Sequence, residues 1–353
     1  MIKIVKDVRE YSYMKKVIIL AVLAIFIPIC SLVALSVGVI NINIFEAFSL
    51  LIKKVFEHNP NSMVDEVKLA VVWDIRLPRV LMAIIAGAGL AMAGIALQGA
   101  LRNPLVSPFT LGISSAASFG AALAIVLGIS LTGFGPYMII SNAFIFSLIA
   151  VGLSLGIAKI KGMTQESLIL AGISMMYLFS AMVTLLQYIA QEWELKALVY
   201  WIMGDLSFAN WSRLSFTLPA VIIFIPIFRY AWDLNVLAMG EDVAKSLGTD
   251  PRITRLICVI LASLTTATIV CMTGPIGFIG LVSPHISRLL LGSDHRVSMI
   301  GSALLGALIL LVSDTLARSI IAPVELPVGV ITAFLGVPLF VHLLLKARRE
   351  IWR

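Results

Sequence analysis

The sequence predicts an all-α, polytopic membrane protein with about ten transmembrane helices arranged as two inverted halves. Of its 353 residues, 60% are hydrophobic and 13% are charged, and the mean hydropathy is +1.05. Soluble proteins average about 45–50% apolar and about 25% charged residues. About 20 apolar residues suffice for a helix to cross a bilayer, and several stretches without a charged residue are longer than that. The chain therefore belongs in lipid.

The individual helices are predicted by dividing the long apolar stretches at proline and glycine breakers. Pro104 and Pro108 divide one long stretch, and "GPIG" at 274–277 divides another. The first apolar stretch exceeds the 7–15 residues of a signal-peptide core, so we expect it to be retained. The predicted helices cover 17–39, 80–100, 109–129, 137–158, 167–190, 211–231, 255–273, 279–291, 297–317 and 327–345. Together they form a single transmembrane domain over residues 1–353.

The positions of lysine and arginine predict the orientation. With a cytoplasmic N-terminus, eighteen of the 26 basic residues fall on the inner side, as the positive-inside rule requires. Both termini are then cytoplasmic, in the plasma or inner membrane. The inner residues are Lys3, Lys6, Arg9, Lys15, Lys16, Arg102, Lys159, Lys161, Arg229, Lys245, Arg252, Arg255, Arg288, Arg296, Lys346, Arg348, Arg349 and Arg353. No basic stripe is interleaved with aromatic residues, so nucleic-acid binding is not expected.

The tetrapeptide Leu-Val-Ser-Pro occurs at 105–108 and again at 281–284. The predicted topology places the first copy after an inward-running helix and the second after an outward-running helix. The first should then lie near the cytoplasmic face and the second near the outer face. Inverted repeats are common in transporters, although a chance match among such frequent residues remains open on this observation alone.

A polar segment at 233–255 separates two predicted spans. Connections between packed helices are usually only a few residues long, and this segment has helical periodicity at Val236, Leu237, Val243 and Leu247. Glycines at 240 and 248 divide it into two short pieces. It is predicted to be a docking element on the inner face rather than an ordinary solvated loop.

Several long motifs resemble one known family. They include "RLPRVLMAIIAGAGLAMAGIALQGALRNPLVSPFTLGISSAAS" at 76–118, "AMGEDVAKSLGTD" at 238–250 and "GPIGFIGLVSPHISRLLLGSDHR" at 274–296. These resemble the FecCD family of ABC transporter permeases, which import iron–siderophore complexes, haem and vitamin B12. The resemblance implies a type II ABC importer permease that works as a dimer, a homodimer by expectation, in the lipid bilayer. It also implies two cytoplasmic ATPases and an extracytoplasmic binding protein.

The resemblance also implies three sets of site residues. Coupling to the ATPase is implied for Gly240, Glu241, Asp242, Lys245, Ser246, Leu247 and Gly248 within 233–255. Docking of the binding protein is implied for Arg76, Arg79 and Arg318, for which the alternative is anchoring at helix ends. A cytoplasmic gate is implied for Asn103 and Leu105 and, more loosely, for Thr164 and Ser167. The alternative for Asn103 is a capping role before Pro104.

No catalytic residue, cofactor or metal site is expected in this chain. It has no G-x-x-x-x-G-K-[ST] phosphate loop, so ATP and Mg²⁺ would be bound by the partner ATPase. Its three cysteines, Cys30, Cys258 and Cys271, have no paired spacing. His285 is expected to form structural hydrogen bonds rather than to ligate haem. Asp314 and Arg318 are spaced for an i, i+4 pair.

A ferric siderophore is the expected substrate, with haem and cobalamin as alternatives. An ion-coupled secondary transporter would also have inverted halves, but it normally places carboxylates in mid-helix, whereas here they lie near predicted helix ends. A membrane-embedded enzyme would need a catalytic constellation that the sequence does not show.

Overall fold

The computed structural model describes residues 2–56, 63–131, 133 and 135–346, and within these residues all regular structure is helical. The basic residues Arg348, Arg349 and Arg353, used above for the orientation, lie outside the described residues. The α-helices are α1 (Ile2–Ser36), α2 (Ile44–Phe56), α3 (Met63–Ala70), α4 (Leu77–Ala100), α5 (Ile113–Val126), α6 (Met138–Ile160), α7 (Gln165–Ile189), α8 (Glu192–Ile202), α9 (Trp211–Arg229), α10 (Ala231–Ala238), α11 (Glu241–Ser246), α12 (Pro251–Thr273), α13 (Ile279–Leu291), α14 (His295–Ser319) and α15 (Val328–Lys346). A π-helical segment (Val71–Arg76) joins α3 to α4, and 3₁₀ turns precede α5 (Pro108–Leu111) and α6 (Gly135–Tyr137).

Ten apolar segments correspond to the ten predicted helices. Within the described ranges, seven are long and apolar enough to cross a bilayer, namely Tyr13–Ser36, Glu66–Ala100, Met138–Ile160, Gln165–Ile189, Trp211–Arg229, Pro251–Thr273 and His295–Ser319. Three shorter apolar helices cover Ile113–Val126, Ile279–Leu291 and Val328–His342. The all-α, polytopic fold is thus confirmed.

Some boundaries differ from the prediction for local reasons. Helix α12 begins at Pro251 rather than at 255, because the Asp250 carboxylate accepts hydrogen bonds from the N–H groups of Arg252 (2.8 Å) and Ile253 (3.3 Å). An aspartate cap followed by proline is a strong helix start. The short helices α2, α3 and α8 were not predicted, since each carries charges that interrupt an apolar stretch.

The packing relates the two halves of the chain. Helix α4 packs against α14 and α13, and α12 packs in the same way against α6 and α5. Helices α4 and α14 cross closely: a Cβ atom at Gly87 would lie 2.2 Å from the carbonyl oxygen of Gly306. Small residues allow such an approach of helix backbones in lipid. The equivalent pairs run in opposite directions, as inverted halves require.

The two Leu-Val-Ser-Pro copies meet near the middle of the bundle. A Cβ atom at Gly280, in the first turn of α13, would lie 2.7 Å from the oxygen of Leu90, midway along α4, and 3.3 Å from Cδ of Pro108. The prediction that the second copy lies near the outer face is therefore wrong. After α12 the chain re-enters the bundle through residues 274–278 before α13 begins. Corresponding segments that touch are expected where an axis relates two halves.

The helices of the bundle start and finish at two opposite ends. Helix α4 starts at one end, where α12 and α14 finish, and we call this the Arg79 end. Helices α4 and α6 finish at the other end, where α7, α12 and α14 start, and we call this the Arg255 end. The short helices α10 and α11 also lie at the Arg255 end, where α10 packs against α4 and α14.

Candidate functional site

The predicted coupling segment forms two short helices with different surroundings. Val236 and Leu237 on α10 are buried in the bundle, whereas Val243 on α11 and Leu247 directly after it are 43% and 61% exposed. The four residues of the helical periodicity therefore lie in two different environments, and the docking role of the segment stays a prediction. Helix α10 anchors the segment because its apolar side chains pack on the bundle, and α11 presents an apolar surface to a partner.

Both predicted turns of this segment are present. Gly240, before α11, has φ 118°, and Gly248, after it, has φ 83°. Around the exposed face, Asp242 and Lys245 approach to 3.9 Å, and the Ser246 hydroxyl donates to the oxygen of Val243 at 2.8 Å. An apolar patch with a polar rim is the usual anatomy of a protein interface.

Replacing Gly248 tests the importance of that turn. Nothing lies within 4 Å of a Cβ atom built there, so the strain of a side chain comes from the backbone alone. A β-branched residue at positive φ is strained by roughly 1–2 kcal/mol, whereas asparagine tolerates this conformation. We expect Gly248→Val to reduce substrate-stimulated ATP hydrolysis of the assembled transporter and Gly248→Asn to preserve most of it. Equal activity of the two variants would show that the turn is not critical.

One buried arginine links the coupling segment to the body of the bundle. Arg255, in the first turns of α12, is 1% exposed. Its Nη2 donates to Oε1 of Glu241 on α11 at 2.5 Å, and its Nη1 donates to the carbonyl oxygen of Met163 at 2.6 Å. Its Nε donates to the carbonyl oxygen of Ala100 at 3.3 Å. Three separate chain segments therefore converge on a single guanidinium.

The electrostatics of this contact favour the charged pair. The hydrogen bond from Arg255 holds the pKa of the Glu241 carboxyl below its usual range. Among the described residues, Glu241 is the acidic partner within ion-pair distance of Arg255. Only the arginine of this pair is buried, since the Glu241 side chain is 40% exposed, so removing Glu241 would leave the buried guanidinium without its acidic partner. This role of Arg255 was missed, because the sequence shows two arginines near the start of α12 and does not tell which is buried.

The first predicted gate pair forms a local turn just after α4. Oδ1 of Asn103 accepts a hydrogen bond from the N–H of Leu105 at 2.9 Å, and the Leu105 side chain is 50% exposed. Arg102, in the same loop, has φ 44°, in the left-handed region that few side chains adopt. Asn103 thus has the local structural role that was weighed as its alternative, and its gate role stays a prediction.

The second predicted gate pair caps the start of α7. Oγ1 of Thr164 accepts from the N–H of Ser167 at 3.2 Å, and the Ser167 hydroxyl donates to the oxygen of Thr164 at 2.9 Å. Met163, just before the cap, has φ 58°. Both gate loops therefore contain a residue in the left-handed region. Arg255 holds a carbonyl oxygen at the base of each loop, at Ala100 and at Met163.

The three arginines implied in docking lie at the Arg79 end and are buried, with exposures of 5% for Arg76, 4% for Arg79 and 4% for Arg318. Asp314, fully buried, joins two of them: Nε of Arg79 lies 2.8 Å from Oδ1, and Nε of Arg318 lies 3.2 Å from Oδ2. Nη1 of Arg79 also lies 2.6 Å from Oε2 of Glu325. The i, i+4 pair of Asp314 and Arg318 is confirmed, whereas no sequence spacing pointed to Glu325.

These arginines also cap the end of α1. Arg76 donates to the carbonyl oxygens of Leu35 (2.7 Å), Ser36 (3.0 Å) and Ile40 (2.6 Å). Arg318 donates to the oxygen of Ala34 at 3.2 Å. The last carbonyl groups of a helix lack partners within it and attract cations. The guanidinium groups are thus occupied within the chain in this conformation, and their docking role stays a prediction.

A cavity of about 640 Å³ lies between the re-entrant segments and α15. It is lined by small and apolar residues, including Phe109, Met203, Gly277, Val330 and Phe334, and none of its lining residues is charged. His285, on α13, does not line this cavity; it is 4% exposed, and its Nε2 has no hydrogen-bond partner within the described part of the chain. The residues that line this cavity are candidates for the wall of a substrate path.

Comparison with known proteins places the chain in a family. The model of the FecCD transport family matches residues 23–346. The chain is 44% identical to the "Putative ABC transporter permease protein MJ0087" of Methanocaldococcus jannaschii over 96% of this chain and 97% of that one. It is 38% identical to the molybdate import system permease protein MolB of Haemophilus influenzae, over 81% and 84% of the two chains. It is also 38% identical to the hemin transport system permease protein HmuU of Yersinia pestis, over 90% and 94%.

Comparison with a solved structure agrees with this family assignment. It is described as "an inward-facing conformation of a putative metal-chelate type ABC transporter", and it aligns with a TM-score of 0.81 at 33% identity. The alignment covers 93% of this chain and 99% of that one. The ten apolar segments, the inverted packing and the family match agree. The chain belongs to the FecCD transport family and is a permease subunit of an ABC importer.

Proposed function

We propose that two copies of this chain form the membrane channel of an importer for bulky iron chelates, with ferric siderophores as the first candidate. A separate ATPase binds ATP and Mg²⁺ and supplies the energy. The Arg79 end faces outward and receives a binding protein, and the Arg255 end, with both termini, faces the cytoplasm of a cell bounded by this plasma or inner membrane. The observation that carries this proposal is the convergence of α11 and both gate loops on Arg255.

The Arg255 contacts supply a route for coupling. In the proposed complex the exposed face of α11, with Val243 and Leu247, rests on the ATPase. Movement of α11 pulls on Glu241 and, through Arg255, on the carbonyl groups of Ala100 and Met163. Ala100 is three positions before Asn103, and Met163 directly precedes Thr164. Closure of the ATPase can thus reach both predicted gate pairs through one side chain.

The surface offers a place for the second copy. Helix α7 exposes Tyr177 (69%) and Leu185 (62%), and α15 exposes Phe334 (74%) and Val337 (45%). Phe334 and Val337 also line the cavity of about 640 Å³. Pairing two copies through α7 and α15 would bury these side chains and enclose two such cavities around a central path.

The cavity lining bears on the substrate. A small oxyanion such as molybdate requires cationic or hydrogen-bonding groups along its path, whereas a bulky chelate that shields its metal can pass apolar walls. The lining is uncharged, which favours a chelate. Haem and cobalamin satisfy the same argument, and the hemin transport system permease is among the relatives, so these two remain alternatives.

At the Arg79 end, the burial of the three arginines limits how the binding protein can contact them. Arg76 and Arg318 hold the end of α1, and Arg79 holds Glu325 in the loop before α15. We propose that they shape the surface that receives the binding protein. Direct pairing of these arginines with acidic residues of that protein requires release of the partners described above.

The experiment is uptake by proteoliposomes that contain the permease, its ATPase and its binding protein. The panel is a ferric siderophore, haem, cobalamin and molybdate. We expect vanadate-sensitive, ATP-dependent uptake of the ferric siderophore and no uptake of molybdate. Uptake driven by a proton or sodium gradient without ATP would contradict the ABC mechanism, and ATP-driven uptake of molybdate alone would contradict the chelate assignment.

A further inference from the structure

A second groove lies at the Arg79 end of the bundle. Two cavities, of about 480 Å³ and about 530 Å³, share Ile140, Cys271 and Met272 in their lining and so form one continuous groove. Its walls come from α6, α8, α9 and α12, with Ile125 of α5 and the loop after α8. Helices α6 and α9 start at this end and α12 finishes there, so the groove leads from the helix ends into the apolar interior of the span.

The half of the groove with a volume of about 530 Å³ is apolar. It is lined by Phe144, Phe216 and Pro219 together with the shared residues, and none of the described residues that line it is charged. It extends from Tyr137, directly before α6, to Phe144 on α6, a distance of about 10 Å at 1.5 Å per residue. A cavity of this depth and lining fits a hydrocarbon chain.

The other half carries charge. Arg213 and Lys196 line it, and neither forms an ion pair with any residue that the structure describes. Cζ of Arg213 lies 5.3 Å from the centre of the Phe208 ring, which fixes the guanidinium over an aromatic face. Asp205 also lines this half, and its carboxylate accepts hydrogen bonds from the N–H (3.0 Å) and the hydroxyl of Ser207. Two cations and one carboxylate leave a formal charge of +1.

Aromatic residues mark the depth of this charged half. Trp193, Tyr200 and Trp201 line it, and tryptophan and tyrosine concentrate at the level of the lipid headgroups. The groove therefore places a net positive charge at headgroup level directly above an apolar cavity. Arginine and lysine form charge-assisted hydrogen bonds with phosphate oxygens, so this arrangement suits the headgroup of an anionic lipid.

We propose that this groove binds one anionic phospholipid. The phosphate lies between Arg213 and Lys196, and one acyl chain fills the apolar half beside Phe144 and Phe216. The single negative charge of a phosphodiester balances the formal charge of the site. A soluble phosphate compound would leave the apolar half of the groove unfilled. A neutral zwitterionic lipid would bring a third cation into a site that already has an excess of positive charge.

The test is thermal unfolding of the purified full chain in detergent, with phosphatidylglycerol, phosphatidylcholine of the same acyl chains, or glycerol phosphate added. We expect phosphatidylglycerol to raise the Tm by a few degrees more than phosphatidylcholine does, and glycerol phosphate to have no effect. The double variant Arg213→Gln/Lys196→Gln should lose this preference. The matched control Lys53→Gln/Lys54→Gln, which removes two exposed cations from α2, should keep it.

A second variant separates lipid binding from a general effect of charge. Ile140→Trp fills the junction of the two cavities and leaves both cations in place, so it should lower the number of phosphatidylglycerol molecules retained per chain in native mass spectrometry. Equal Tm shifts for the two lipids, an unchanged preference in the Arg213→Gln/Lys196→Gln variant, or stabilisation by glycerol phosphate alone would each overturn the proposal. None of these measurements requires the ATPase, so their outcome is independent of the proposed transport function.

Discussion

Replacing Arg255 by methionine is expected to uncouple ATP hydrolysis from import. Methionine keeps an apolar stem of similar length but removes the hydrogen bonds to Glu241, Met163 and Ala100. Hydrogen bonds that involve a charged group are worth about 1.5–3 kcal/mol each, so the loss of even one of them corresponds to about a 10- to 150-fold effect. In proteoliposomes we expect uptake per ATP hydrolysed to fall by at least about tenfold, while basal hydrolysis continues.

The neighbouring arginine provides the control for this variant. Arg252 lies on the same helix and carries the same charge, but it is exposed. The Arg252→Met variant should therefore couple ATP hydrolysis to import as the wild type does. Glu241→Gln, which keeps a hydrogen-bond acceptor but loses the charge, should have an intermediate effect. If Arg255→Met and Arg252→Met import equally well for each ATP hydrolysed, the proposed route through Arg255 is incorrect.

Replacing Asp314 by alanine is expected to destabilise the protein more than any surface change. Its carboxylate is fully buried and contacts both Arg79 and Arg318. Removing it leaves two buried guanidinium groups, of which Arg79 retains Glu325 as its acidic partner. Breaking a buried pair in this way costs about 3–5 kcal/mol, which corresponds to a fall in Tm on the order of 10 °C.

Thermal unfolding in detergent measures the effect of Asp314→Ala. The matched control is Asp242→Ala, which removes a fully exposed carboxylate with a loose 3.9 Å contact to Lys245. Exposed pairs contribute little to stability, so the control should unfold at the wild-type temperature. A wild-type Tm for Asp314→Ala would mean that the arginines at this end do not depend on that carboxylate.

The fold could be predicted well because lipid imposes simple requirements. Ten apolar segments, their inner basic residues and their glycine-rich packing are properties of local sequence, and each of the ten segments corresponds to a helix. The re-entrant course of residues 274–278 could not be predicted in the same way. Its depth depends on the close approach of Gly280 to Leu90 and Pro108, which are remote in sequence.

In the candidate site, too, local features could be predicted from the sequence and long-range contacts could not. The turns at Gly240 and Gly248 follow from residue type, and the Asp314–Arg318 pair follows from its spacing. The contacts of Arg255 and the link from Arg79 to Glu325 join segments from different parts of the chain. For the same reason the sequence suggested exposed arginines at the outer end, whereas long-range packing buries them.

The most direct measurement of the central claim is the distance between the coupling segment and a gate loop during turnover. Spin labels at Lys245 on α11 and at Lys161, before Met163, would both be exposed. The labels are introduced as Lys245→Cys and Lys161→Cys after replacement of the three native cysteines, and labelled chains are diluted with unlabelled ones. Because Arg255 joins the two segments, we predict that the distance within one chain is the same with and without ATP, and that it changes in Arg255→Met. A change of several ångströms on ATP binding in the otherwise wild-type protein would show that the segments move independently, which would contradict coupling through Arg255.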